Sequence, residues 1–132
     1  MIDCMIIGDS IGVGTAAFRK DCVSYSIGGY NSWQWNKKFA DLDITAKTVI
    51  ISLGSNDHKS IHTHDELVVI RSRTHATKVY WIRPAIKPNI QEIVELMAHQ
   101  FGDTVVPITS LQPDGIHPSW KGYKEIAKET GL

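Results

Sequence analysis

Five short apolar runs alternate along this chain with segments of helical pattern, and that alternation constrains its fold more than any other feature. The runs are Ile2 to Ile7, Cys22 to Ile27, KTVIISLG (47–54), KVYWIRP (78–84) and TVVPI (104–108). Runs this short, apolar on both alternating faces, read as strands buried on two sides, which is the signature of a parallel sheet. Helices are predicted between and after them, over 11–19, 31–39, 65–76, 89–102 and 119–131. The segment 89–102 is the clearest: Ile90, Ile93, Val94 and Met97 fall on one face and Gly102 stops it. The acidic start of 65–76 suits a helix dipole, and Ser119 is placed to cap the last helix. Strands alternating with helices imply βαβ units and a parallel sheet covered on both faces.

At 132 residues the chain is expected to form one domain, 1–132, with a single sizeable core. It carries 14 acidic and 14 basic side chains, so no global field would draw it to nucleic acid or to an anionic membrane. No apolar stretch reaches the roughly 20 residues of a membrane helix. The N-terminus lacks a basic n-region and its apolar run breaks at Gly8, so no signal peptide is read there. The expectation is a cytoplasmic product, or one exported by other means, such as a phage particle. Cys4 and Cys22 lie in apolar segments and read as two buried thiols acting as small hydrophobes, with pairing between neighbouring strands as the alternative. No internal repeat, linker or low-complexity tract interrupts the pattern.

In open parallel sheets ligands bind beyond the carboxyl ends of the strands, near the point where strand order reverses. The residues to weigh are therefore those just after each run. Ser10, after the first, stands where a helix N-cap would, and alone would be read as one. His117 changes that reading, because it sits in a Pro- and Gly-bounded loop with Asp114 three residues before it. A D-x-x-H turn can set the carboxylate against one imidazole nitrogen and leave the other to accept a proton from a serine. Taken singly, Asp114 is an Asx-turn residue in PDG and His117 a solvated loop histidine. Asn56, after the third run, adds a side-chain N–H; with the backbone N–H groups of Ser10 and of a glycine after the second run it makes three oxyanion donors.

These residues resemble the four signature blocks of the SGNH hydrolases, also called GDSL esterases and lipases, in family order. GDSI (8–11) is similar to the nucleophile block, with Ile11 where leucine is usual. IGGYNS (27–32) is similar to the block whose glycine serves the oxyanion hole, aligned here on Gly29 with Gly28 as the other choice. GSND (54–57) and DGIHPS (114–119) match the asparagine block and the acid–base block. The resemblance implies a flavodoxin-like, three-layer α/β/α fold with a five-stranded parallel sheet, and an ester hydrolase that needs no metal or cofactor. It implies Ser10, Asp114 and His117 as the catalytic triad, and Ser10 N–H, Gly29 N–H and Asn56 as the oxyanion hole. Since many members are longer, a shallow pocket is expected, suited to small acyl groups such as acetyl on a sugar. The substrate would be a small-molecule or glycan ester, with no nucleic-acid or membrane partner. The rivals are a carbohydrate-binding or structural module without turnover, and an acyltransferase.

Other features are read more plainly. GVGTAA (12–17) fits a relaxed dinucleotide fingerprint, but its glycines start too far past the strand and no acidic residue ends the second strand, so Gly12 and Gly14 are taken to pack the first helix. His58, His62 and His64, beside Asp65, read as solvated surface residues rather than metal ligands. Trp33, Trp35, Trp81 and Trp120 are expected in the core. Tyr30 could line the cleft. Arg83 could meet an anionic substrate, or else form an ion pair within the protein.

Overall fold

The computed structural model of the protein describes residues 1–131. Its elements run β1 (Cys4–Gly8), α1 (Ser10–Phe18), β2 (Val23–Ser26), α2 (Ser32–Lys38), β3 (Ile44–Thr45), β4 (Thr48–Ser52), α3 (Thr63–Arg73), β5 (Thr74–His75), β6 (Lys78–Ile82), α4 (Pro88–Phe101), β7 (Thr104–Val106) and α5 (Trp120–Glu129). The five predicted strands form one parallel sheet in the order β2-β1-β4-β6-β7. Every residue of β1 is buried, which is why it is apolar throughout.

Two-residue periodicity divides the core between the faces of the sheet. Met5 and Ile7 of β1, with Val49 and Ile51 of β4, pack among Trp35, Leu67, Ile70, Val94 and Met97, so α2, α3 and α4 cover one face. Cys4, Ile6 and Ile50 pack among Ile11, Tyr123 and Ile126, so α1 and α5 cover the other. The result is the α/β/α sandwich expected from the sequence. The chain runs from β1 outward to β2, then returns across β1 to β4. Strand order therefore reverses beside β1, which makes the carboxyl ends of β1 and β4 the place to look for a site.

Two features differ from the expectations. The segment 65–76 does not stay helical: α3 ends at Arg73, and Thr74–His75 pairs in parallel with Ile44–Thr45 as a second, two-stranded sheet. Arg73 bridges the same region, its guanidinium donating to the carbonyls of Phe39 and Leu42 at 2.7 Å each. That tertiary anchor and a β-branched Thr74 outweigh the helical pattern. Cys4 and Cys22 are not free thiols but a disulfide. The parallel register that sets Met5 opposite Val23 brings the preceding residues together, with their Cα atoms 4.5 Å apart.

Of the four tryptophans, Trp35 and Trp81 are core residues at 0% and 1% exposure, as expected. Trp33 and Trp120 are not, at 47% and 73%. Each lies in the first turn of its helix, on the side turned away from the sheet.

Candidate active site

The site is built where β1 gives way to α1. Gly8 passes so close to β4 that a β-carbon on it would lie 2.5 Å from the carbonyl oxygen of Ser52. Asp9 then caps α1, its Oδ1 accepting from the Ile11 N–H at 3.0 Å. Ser10 is the first helical residue, so its own N–H is one of the donors that a helix start leaves without an intrahelical partner.

His117 reaches Ser10 from 107 residues away, its Nε2 lying 2.9 Å from Ser10 Oγ. Its Nδ1 lies 2.6 Å from Asp114 Oδ2. With the ring neutral, Nδ1–H donates to the carboxylate, and Nε2 is left to accept the serine hydroxyl proton. The other oxygen of Asp114 accepts the N–H groups of Ile116 at 2.8 Å and His117 at 3.0 Å. Those two backbone donors, followed by the His117 ring, hold the Asp114 carboxyl down at about 2. The carboxylate is therefore ionised at neutral pH.

The loop that carries this pair is closed on itself. Leu111 and Pro118 form an antiparallel bridge, Gln112 N–H donates to His117 O at 2.8 Å, and Ser119 N–H donates to Ser110 O at 2.9 Å. Gly115 turns it at φ +70°, a conformation glycine adopts without a steric penalty. Ser119 caps α5 as predicted. His117 and Asp114 remain 34% and 41% exposed, so this surface is open rather than enclosed.

Two neighbouring loops carry the other expected oxyanion residues. Residues 27–30 form a turn closed by Tyr30 N–H to Ile27 O, with Gly29 at φ +80°. A β-carbon on Gly28 would lie 3.8 Å from Ser10 Cβ, while one on Gly29 would meet nothing within 4 Å. A side chain on Gly28 would thus border the serine, which leaves Gly29, with Gly28 as the other choice, as the expected oxyanion donor. Asn56 lies across from this turn, its Nδ2 donating to Tyr30 O at 3.0 Å and keeping a second N–H free.

Asp57 locks the two loops together, a role the sequence reading did not assign. Almost fully buried, it accepts from Ser32 N–H at 2.9 Å, Ser32 Oγ–H at 2.6 Å and Thr63 Oγ1–H at 2.7 Å. Its carbonyl accepts from Lys87 Nζ at 2.7 Å. A buried Asp beside the motif asparagine was the available signal. Its partners lie in segments whose proximity only the fold determines. Arg83 does not join the site: its guanidinium pairs with Glu95 at 2.7 Å and Gln91 at 3.3 Å on α4. His58 and His62 are exposed, as expected, and border an open hollow beside the start of α2. Among the described residues no group of three or more His, Cys, Asp or Glu side chains is arranged to hold a metal ion.

No protein-family model and no curated protein matches the chain. Solved structures do. A GDSL-like lipase from Bacteroides thetaiotaomicron superposes with a TM-score of 0.69 at 17% identity, over 96% of this chain and 84% of that one. A protein assigned as an acylhydrolase from Bacteroides fragilis gives 0.67 at 19% identity, over 96% and 83%. One assigned as a GDSL-like lipase from Parabacteroides merdae gives 0.70 at 14%, over 95% and 91%. With the parallel sheet and its strand order, these likenesses show that the chain has the fold of the GDSL-like lipases and acylhydrolases.

Proposed function

We propose that this protein is an SGNH-type serine ester hydrolase that removes small acyl groups, acetyl foremost, from carbohydrate or other small-molecule esters. The observation that carries the reading is the continuous relay Ser10 Oγ, His117 Nε2, His117 Nδ1, Asp114 Oδ2, with contacts of 2.9 and 2.6 Å. Ser10 Oγ attacks the acyl carbonyl as His117 Nε2 takes its proton, and Asp114 stabilises the imidazolium. The oxyanion is held by the Ser10 and Gly29 N–H groups and by the free N–H of Asn56. The intermediate collapses, the alcohol leaves with the proton from His117, and the acyl group stays on Ser10. Water, activated by the same imidazole, then releases the acid and restores the serine. The openness around His117 favours short acyl groups, since a long chain would find no enclosing apolar wall.

Hydrolysis of p-nitrophenyl acetate by the wild type, and its loss in Ser10→Ala, tests the assignment. Retention of activity in that variant would remove Ser10 from the mechanism. A fluorophosphonate should label Ser10 in the wild type and fail to do so in His117→Ala.

A further inference from the structure

Asn31, which follows the Tyr30 whose carbonyl accepts from Asn56, lines a hollow of about 510 Å³ between the start of α2 and the segment 58–62. One wall is Trp33, 47% exposed although tryptophan is among the largest apolar side chains. A smaller cavity of about 370 Å³ shares Trp33 and Glu66 with it, so that these two residues stand as a ridge between two hollows. Lys37, whose Nζ lies 5.6 Å from the Trp33 ring centroid, lines only the smaller one.

The polar groups around the larger cavity have spare bonding capacity of both kinds. Gln34 spends Oε1 on the Asn31 N–H, leaving its amide N–H₂ to donate. Glu66 takes the Asn36 amide on Oε1, leaving Oε2 to accept. His58 accepts from Ser60 N–H on Nδ1 at 3.3 Å, leaving Nε2 outward, and the Ser60 hydroxyl can either donate or accept. The walls are held in place beforehand: Asn31 and Gln34 form a reciprocal capping box, and Asp57 ties Ser32 to Thr63.

An exposed indole flanked by both donors and acceptors, without excess cationic charge, selects a narrow chemistry. A long acyl chain would leave these polar groups buried and unpaired. A phosphorylated or polyanionic ligand would need cations, and no lysine or arginine lines the larger hollow, which instead carries Glu66. A neutral sugar satisfies every term, because each hydroxyl both donates and accepts, and its C–H face suits the electron-rich face of an indole. Trp33 is five residues from Gly28, at most ~18 Å of chain, so a ring seated there is a neighbour of the reacting unit in one oligosaccharide.

We propose that this groove is a carbohydrate subsite. A sugar ring of the substrate stacks on Trp33, Gln34, His58, Ser60 and Glu66 bond its hydroxyls, and the acyl ester of an adjacent unit is thereby presented to Ser10. The inference rests on the ester-hydrolase reading and specifies its substrate class.

The test uses the full chain and acetylated xylo-, manno- and chito-oligosaccharides, each compared with p-nitrophenyl acetate. At least one glycan ester should be cleaved with a higher kcat/KM than the synthetic ester. In Trp33→Ala the ratio of the two kcat/KM values should fall about 10-fold, chiefly through KM, with partial recovery in Trp33→Phe. In a Ser10→Ala background the same oligosaccharides should alter tryptophan fluorescence, and Trp33→Ala should abolish that change. An unaltered ratio in Trp33→Ala would overturn the subsite, as would failure of all three families to bind the Ser10→Ala protein. Absence of hydrolysis of p-nitrophenyl acetate by the wild type would refute the esterase reading instead, and the fluorescence arm would still decide the subsite.

Discussion

Asp9 is fully buried at the start of α1, with Oδ1 bonded to Ile11 N–H and 3.4 Å from Ser52 Oγ, and Oδ2 without a partner. Burial lifts its pKa from 3.8 to about 6, against the opposing pull of the Ile11 and Gly12 N–H groups and of Ser52. A carboxyl whose folded pKa lies above its unfolded one contributes stability that is full below pH 3.8 and lost as pH rises through about 6. At 1.36 kcal/mol per unit, ionised Asp9 costs the folded state about 3 kcal/mol near neutrality. About 2 kcal/mol of that change falls between pH 4.5 and 7.5. Asp9→Asn keeps the acceptor for Ile11 and removes the charge, at a cost of ~1 kcal/mol for a weaker cap and an amide without an acceptor. The variant should therefore be more stable than wild type at pH 7.5 by about 1–2 kcal/mol, and no more stable than it at pH 4.5. Urea unfolding followed by the fluorescence of the buried Trp35 and Trp81 measures both. Parallel stability–pH curves for the two proteins, or a variant weaker at pH 7.5, would show that the orphaned oxygen does not carry this cost.

Asp114→Asn should lower kcat on p-nitrophenyl acetate by roughly 10³–10⁴, because the amide no longer selects the His117 tautomer that accepts the Ser10 proton. Since Asp114 titrates at about 2, the wild-type acid limb should lie well above that value, and a pH–rate profile checks it. Asn56→Ala should cost 10²–10³ in kcat and also loosen the 27–30 turn that its Nδ2 holds, read as faster amide exchange at Tyr30. Gly54→Ala should destabilise the fold by about 2–3 kcal/mol in urea, because φ is +118° and the new methyl would lie 2.7 Å from Ile90 Cγ2. Replacing both cysteines by serine should cost about 3 kcal/mol, the loop-closure entropy for a separation of 18 residues, and lower the urea midpoint without changing kcat.

Strand and helix order could be read from the chain because both faces of β1, β4 and β6 are buried, so their apolar runs announce themselves. Ser10, Asn56, Asp114 and His117 stood out for a related reason: each follows an element whose end was marked by glycine, proline or a cap. What stayed hidden depends on packing between distant segments. The β3–β5 pair is two residues long on each side, too short for any period to show. Lys87, at φ +65°, adopts a left-handed conformation that only its bond to Asp57 O and the start of α4 explain. Trp33 and Trp35 are two residues apart on one helix and could not be sorted into surface and core until the sheet lay against α2.

The disulfide joins the sheet at its edge away from the chemistry. Cys4 opens β1 and Ser10 follows its other end, so five strand residues, ~16 Å, separate the covalent staple from the nucleophile. Beside it, the buried guanidinium of Arg19 contacts Cys4 Sγ at 3.7 Å and Thr130 O at 2.9 Å, tying the end of α1 to the end of α5. Reduction would leave those ionic and polar ties in place and would not touch the relay at the opposite end. On the proposed mechanism, working life and turnover are thus set at opposite poles of one strand. Molecules kept in a reducing compartment would turn over substrate at the same rate as oxidised ones, yet be lost sooner to proteolysis and heat.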